Sequence, residues 1–186
     1  MESISLKNPN LIEDAEEENL KPYPWKELKK FVPKNGRIAE LYCGSSLPTL
    51  PGLAKIVGTK GHIYAVDAED FPIGLDYKST RRTSARVSET PIKTDELDTL
   101  IFAKLGWMYA LSLMNPIEKQ EFAAEAVRIL KPQGYLIICD SKYPINSENG
   151  FTLTDEHVQT FLPQPFKRLK ILELDDKNQL TIYQKC

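Results

Sequence analysis

Two carboxylates stand where a sheet would present them to a ligand. Glu40 lies near the end of the run RIAELY at 37–42, and Asp67 closes the run HIYAVD at 62–67. A carboxylate at the carboxyl end of a strand can accept both hydroxyls of a ribose, as nucleoside and dinucleotide sites require. Cys43, Gly44, Ser45 and Ser46 follow the first run as a turn, and Gly44 lets the backbone come close to a ligand. Gly44 is followed by no further glycine until Gly52, a poor match to the G-x-G-x-x-G cradle for pyrophosphate. A nucleoside with an amino-acid tail needs no such cradle. Cys43 has no histidine nearby in sequence and reads as a small packed residue rather than a nucleophile. His62 opens a strand and reads as structural. His157, in the first turn of a helix, reads as solvated. Lys78, Arg81, Arg82 and Arg86 form a basic cluster that reads as a solvated face.

The elements that must hold these residues follow from periodicity. Trp25, Leu28, Phe31 and Val32 share one face of a short helix after Pro24, closed by Pro33 and Gly36. Residues 37–42 form a strand, 49–57 a helix with Pro51 in its first turn, and 62–67 a second strand. This is a right-handed βαβ unit in about 30 residues. Beyond Asp67 the pattern is less regular, and residues 85–88 are read as a short third strand. Residues 98–103 form a buried parallel strand. Asn115, Pro116 and Glu118 start a strong helix, with an apolar stripe of Phe122, Ala126 and Leu130. The tetrad Lys131-Pro132-Gln133-Gly134 stops it before a strand at 135–140. Another helix starts at Thr154. The strands 166–174 and 180–185, joined by a short polar turn, form an antiparallel hairpin. The expected architecture is α/β: a Rossmann-like, open, mostly parallel seven-stranded sheet, helices on both faces, and a C-terminal antiparallel hairpin.

The composition agrees. The chain has 186 residues, 41% hydrophobic and 27% charged, which suits one folded domain. Residues 1–20 form an acidic N-terminal segment, with Glu13, Asp14, Glu16, Glu17 and Glu18, ahead of a single domain at 21–186. With 24 Lys+Arg against 26 Asp+Glu, the net charge of -2 excludes a strongly basic nucleic-acid binder. No apolar run reaches the roughly 18 residues of a membrane span. The three cysteines, Cys43, Cys139 and Cys186, lack metal-ligand spacing and read as reduced thiols, so a cytoplasmic location and no metal are expected.

The segments ELYCG at 40–44, LAKIVG at 53–58 and GHIYAVD at 61–67 resemble the first two motifs of class I S-adenosylmethionine-dependent methyltransferases. The stretch PIKTDELD at 91–98 is similar to the approach to that family's fourth strand. EAVRILKPQGY at 125–135 is similar to its E-x-x-R-x-L-K-P-G-G junction, the most specific piece. LTDEHV at 153–158 resembles a helix start in the small branch that includes quinone C-methyltransferases. The resemblance spans roughly residues 25–185. It departs from the family's D/E-x-G-x-G-x-G pattern at Tyr42 and Ser46.

The resemblance implies a bound S-adenosyl-L-methionine. Glu40 would orient the backbone around its methionine tail, and Tyr42, Cys43, Gly44, Ser45 and Ser46 would line it. Asp67 and Ala68 would lie at the ribose, Ser88 and Glu89 near the adenine, and Ala103 and Lys104 along the cofactor. It implies methyl transfer to an unidentified acceptor, expected to be a small molecule. An RNA or protein acceptor stays open, whereas DNA and membranes are not expected. Residues 105–114, with Trp107, Met108 and Tyr109, and residues 141–151, with Lys142, Tyr143 and Asn146, are the acceptor-facing candidates. No catalytic residue is assigned, because the reaction mainly needs positioning and water exclusion. The alternative reading, from Tyr42 and Ser46, is a methyltransferase-like binding or scaffold protein without catalysis.

Overall fold

Alternating large aliphatic residues make the central strands. In β1 (Arg37–Leu41), Ile38 faces one side of the sheet, and Ala39 and Leu41 face the other. β2 (His62–Asp67) repeats this, with Ile63 and Ala65 on one face and Tyr64 and Val66 on the other. Between them runs α2 (Leu50–Val57), closed by Gly58 at φ 75°, ψ -179°, a region essentially reserved for glycine. The remaining elements are α1 (Trp25–Leu28), β3 (Thr80–Ser84), β4 (Leu97–Phe102), α3 (Pro116–Ile129), β5 (Leu130–Ser141), β6 (Phe166–Glu173) and β7 (Asn178–Lys185). The computed structural model describes residues 24–41, 49–67, 80–86, 88–102, 115–141, 166–176 and 178–186. Tyr42, Cys43, Gly44, Ser45, Ser46, Ala68, Ala103, Lys104, the acceptor-facing segments, the helix expected at Thr154 and the acidic segment at 1–20 lie outside the described residues, apart from the backbone of Ser141.

The seven strands form one sheet in the order β3-β2-β1-β4-β5-β7-β6. The first five pair in parallel; β7 runs antiparallel between β5 and β6. Helices cover both faces. Leu53, Ile56 and Val57 of α2, with Leu28 and Val32, bury against Ile38, Ile63, Ile101, Ile137 and Ile182. Phe122, Ala126 and Ile129 of α3 bury against Leu41, Val66, Leu100, Phe102 and Leu136 on the opposite face. The expected architecture is therefore observed.

Three elements differ most from expectation in extent. The third strand lies at Thr80–Ser84 rather than 85–88. It is one of the sheet's two outer strands, so its sequence TRRTS needs no apolar run and carries no hydrophobic signal. α1 is a single turn, continued by hydrogen-bonded turns through Val32. β5 starts at once after α3: Leu130 pairs with Leu97, residues 131–134 bulge out, and pairing resumes at Thr99 with Tyr135. The tetrad at 131–134 is thus a bulge inside a strand. Within it Gly134 has no room for a Cβ, which would sit 2.9 Å from the Lys131 carbonyl. Gln133 holds φ 66°, which favours glycine. Gln133→Gly should therefore stabilise the fold by about 0.5–1 kcal/mol, as the relieved strain exceeds the added chain entropy. Urea unfolding measures this, and a lower midpoint would refute it.

The start of α3 matches expectation atom by atom. Asn115 Oδ1 accepts from the amides of Ile117 and Glu118, and Glu118 Oε2 accepts from the Asn115 amide at 2.8 Å. Both halves of a capping box are present. Asn115→Ala should cost about 1 kcal/mol of stability, read as a lower urea midpoint at unchanged slope.

Candidate functional site

The carboxyl ends of β1, β2 and β4 meet beside the point where strand order reverses, with β1 between β2 and β4. Open α/β sheets bind ligands at this crevice. Glu40 is the fourth of five residues in β1, and its side chain points to the α2 face with Ile38. It is wholly buried, and its Oε1 accepts a hydrogen bond from the Thr49 hydroxyl. Thr49 sits at the N-cap of α2, yet its side chain makes no bond to the helix amides; it is turned back to Glu40. The pair ties the end of β1 to the start of α2.

Asp67 is the last residue of β2, on the same face as Ile63 and Ala65. Leu41 lies opposite Val66, so Asp67 stands one strand over and further along than Glu40. It is 8% exposed, at the rim rather than in the core. Its carbonyl accepts from the Ala85 amide at 3.0 Å, which carries the β2–β3 ladder one step past Ser84. Ser88 and Glu89 lie in the turn that follows β3, Ser88 half-buried and Glu89 exposed, with the Glu89 amide bonded to the Arg86 carbonyl. The fold thus brings Glu40, Thr49 and Asp67 to one rim, with the turn bearing Ser88 and Glu89 beyond the neighbouring strand. Thr49 was not singled out from the sequence; a hydroxyl directly before a helix reads only as a cap.

The turn after β3 is anchored by a group whose role the sequence did not reveal. Glu125 of α3 is buried and accepts from the Thr90 amide and hydroxyl, at 2.8 and 2.6 Å. Arg128 forks onto the same carboxylate at 2.6 Å and also donates to the Ile92 carbonyl at 2.7 Å. The amides of Asp95 and Glu96 bond the carbonyls of Arg128 and Ile129. This clasp is what the E-x-x-R spacing encodes: it fastens residues 90–96 to α3. Burial pushes the Glu125 carboxyl up, but the bonds from Arg128 and Thr90 outweigh it and hold it below the usual range.

A second charged cluster lies at the opposite, amino-terminal ends of the strands. Glu96 accepts from Arg37 and from the Tyr64 hydroxyl, the latter at 2.7 Å. Burial lowers the pKa of the neighbouring His62, aided by the charge of Arg37. Its place under the sheet marks it as structural. Among the described residues no three His, Cys, Asp or Glu side chains are grouped to hold a metal, and no helix is long and apolar enough to cross a membrane. Cys139 is buried and Cys186 exposed, and both are outside any disulfide.

No family model and no curated protein matches the sequence. Solved structures do match the fold. A methyltransferase dependent on S-adenosylmethionine from Aquifex aeolicus superposes with a TM-score of 0.70 at 18% identity, over 96% of this chain and 99% of that one. The fold is that of class I S-adenosylmethionine-dependent methyltransferases. The 1,6-didemethyltoxoflavin-N1-methyltransferase of Burkholderia thailandensis, solved with its substrate and S-adenosylhomocysteine, gives 0.67 at 13% identity, over 99% and 93%. A TehB-like methyltransferase from Corynebacterium glutamicum gives 0.61 at 14%, over 96% and 100%. All three are similar over almost their whole length.

Proposed function

We propose that the chain is an S-adenosyl-L-methionine-dependent methyltransferase acting on a small-molecule acceptor. The observation that carries this reading is the pairing of Glu40 and Asp67 at the ends of adjacent strands, on one face, beside the switch point of the sheet. The chemistry of the donor set fits: a ribose offers two hydroxyl donors, and Asp67 is a rim carboxylate. When bound, S-adenosyl-L-methionine supplies a methyl group already activated on a sulfonium. Asp67 accepts from the ribose hydroxyls. Glu40, bonded to Thr49, holds the turn at 42–48 in place around the methionine tail, and Cys43, Gly44, Ser45 and Ser46 contribute backbone there. Ser88 and Glu89 lie toward the adenine; Ala68, Ala103 and Lys104 complete the lining. The acceptor is oriented by residues 105–114 and 141–151, whose Trp107, Tyr109 and Tyr143 suit a flat organic molecule. The B. thailandensis neighbour is a 1,6-didemethyltoxoflavin-N1-methyltransferase. A cytoplasmic location accompanies this reading.

The test is calorimetry with S-adenosylhomocysteine. Micromolar binding is expected, and no heat at millimolar ligand would overturn the reading. Ser46, a side chain at the third glycine position of the first motif, favours a second reading, a scaffold that has lost the cofactor. The same titration decides between the two.

A further inference from the structure

The outer strand β6 is exposed in an unusual way for a sheet edge. It is the last strand of the sheet, and among the described residues no strand pairs with its outer side. Residues 167–171 are all exposed. Leu169 and Ile171 are each 42% exposed, and with Ile117 they are the large hydrophobic residues exposed among the described ones. They alternate with cations: Lys167, Arg168 and Lys170 precede the single carboxylate of Glu173. A long edge with exposed aliphatic side chains is a site that proteins normally cover. The opposite edge, β3, is five residues long.

We propose that the acidic segment at residues 11–20 of the same chain docks along the outer edge of β6. Its sequence, LIEDAEEENL, carries five carboxylates and no cation, with Leu11, Ile12 and Leu20 at its ends. It thus matches β6 in both respects, carboxylates for the cations and aliphatic ends for Leu169 and Ile171. The tether makes the encounter local. Glu27 of α1 already bonds Lys170 at 2.8 Å, so the chain enters the fold beside β6. Five residues lie between Glu18 and Pro24, and the six steps reach about 20 Å when extended. β6 spans about 26 Å over its eight residues. Lys167 and Arg168 are within range beside the Lys170 already held by Glu27, and so short a tether gives an effective concentration near the millimolar range. The same strand would otherwise pair with another copy, where its three cations would face three more. The proposal is independent of the enzymatic reading.

Hydrogen exchange of the full-length protein tests it. The backbone amides of 166–173 that face outward should exchange roughly tenfold more slowly in wild type, at about 20 mM salt, than in the variant E13Q/D14N/E16Q/E17Q/E18Q. About 0.5 M salt should erase the difference in wild type, since the contact rests on screened charge. Equal exchange in all three conditions would overturn the proposal. Protection that falls on tenfold dilution of wild type would overturn it too, because the occupant would then be a second copy. The salt arm needs no variant, so the test holds even if the substituted protein folds poorly.

Discussion

Asp67→Ala should weaken binding of S-adenosylhomocysteine about 100-fold. Two hydroxyls bonded to one carboxylate contribute about 1.5–3 kcal/mol each, and about 2.8 kcal/mol in total is already a factor of 100. Asp67→Asn, which keeps the shape but turns one acceptor into a donor, should fall between wild type and alanine. Calorimetry gives the affinities, and the urea midpoint of each variant shows whether the fold survives. Asp67 ends a strand at the rim, and its backbone carbonyl continues to accept from Ala85 in either variant. Binding within twofold of wild type in a folded variant would remove Asp67 from the site.

Arg128→Met should cost about 3 kcal/mol of stability and lower Tm by about 6–12 °C. The loss exceeds that of an ordinary surface ion pair because Glu125 is buried and would keep its charge without the guanidinium. The carbonyl of Ile92 loses a donor as well. The double variant E125Q/R128M should recover part of the loss, since it removes the stranded charge while Thr90 still has an oxygen to donate to. The two single losses adding up in the double variant would count against the clasp.

The same group shapes acid stability. The folded Glu125 carboxyl lies below its ordinary value of about 4.5. Its contribution is therefore complete above that value and is lost as pH falls through the folded pKa. In Arg128→Met the strongest lowering partner is gone and burial still pushes the carboxyl up, so protonation becomes less costly to the fold. Stability of wild type should thus fall more steeply than that of the variant below about pH 4.5. Denaturation midpoints across that range compare the slopes, and parallel curves would refute the assignment.

What the sequence reveals depends on where the energy lies. β1, β2 and β4 are legible because both faces are buried, so their aliphatic runs are almost unbroken. β3 is not, because an outer strand of threonine and arginine answers to backbone pairing alone. The tetrad Lys131-Pro132-Gln133-Gly134 reads as a stop in one dimension, and only the partner strand shows it to be a bulge. Glu40 and Asp67 were visible because a carboxylate ending an apolar run stands out. Thr49 was not, since its bond to Glu40 joins two separate elements. The Thr90–Glu125 bond in the clasp spans 35 residues, beyond any local periodicity.

The placement of β7 between β5 and β6 sets an order on biosynthesis. β6 leaves the ribosome before the strand it pairs with, and so does β5 on that side. At ~5–20 residues per second, the interval between completing Ser141 and completing Lys185 lasts roughly 2–9 s. Throughout it the growing chain carries an open parallel sheet whose last strand, β5, has one bare edge. The final strand then closes the sheet from the inside. A nascent chain of this topology is at its most sticky just before β7 is made, and holding factors that act at that stage will matter more to its yield than those that act before β5.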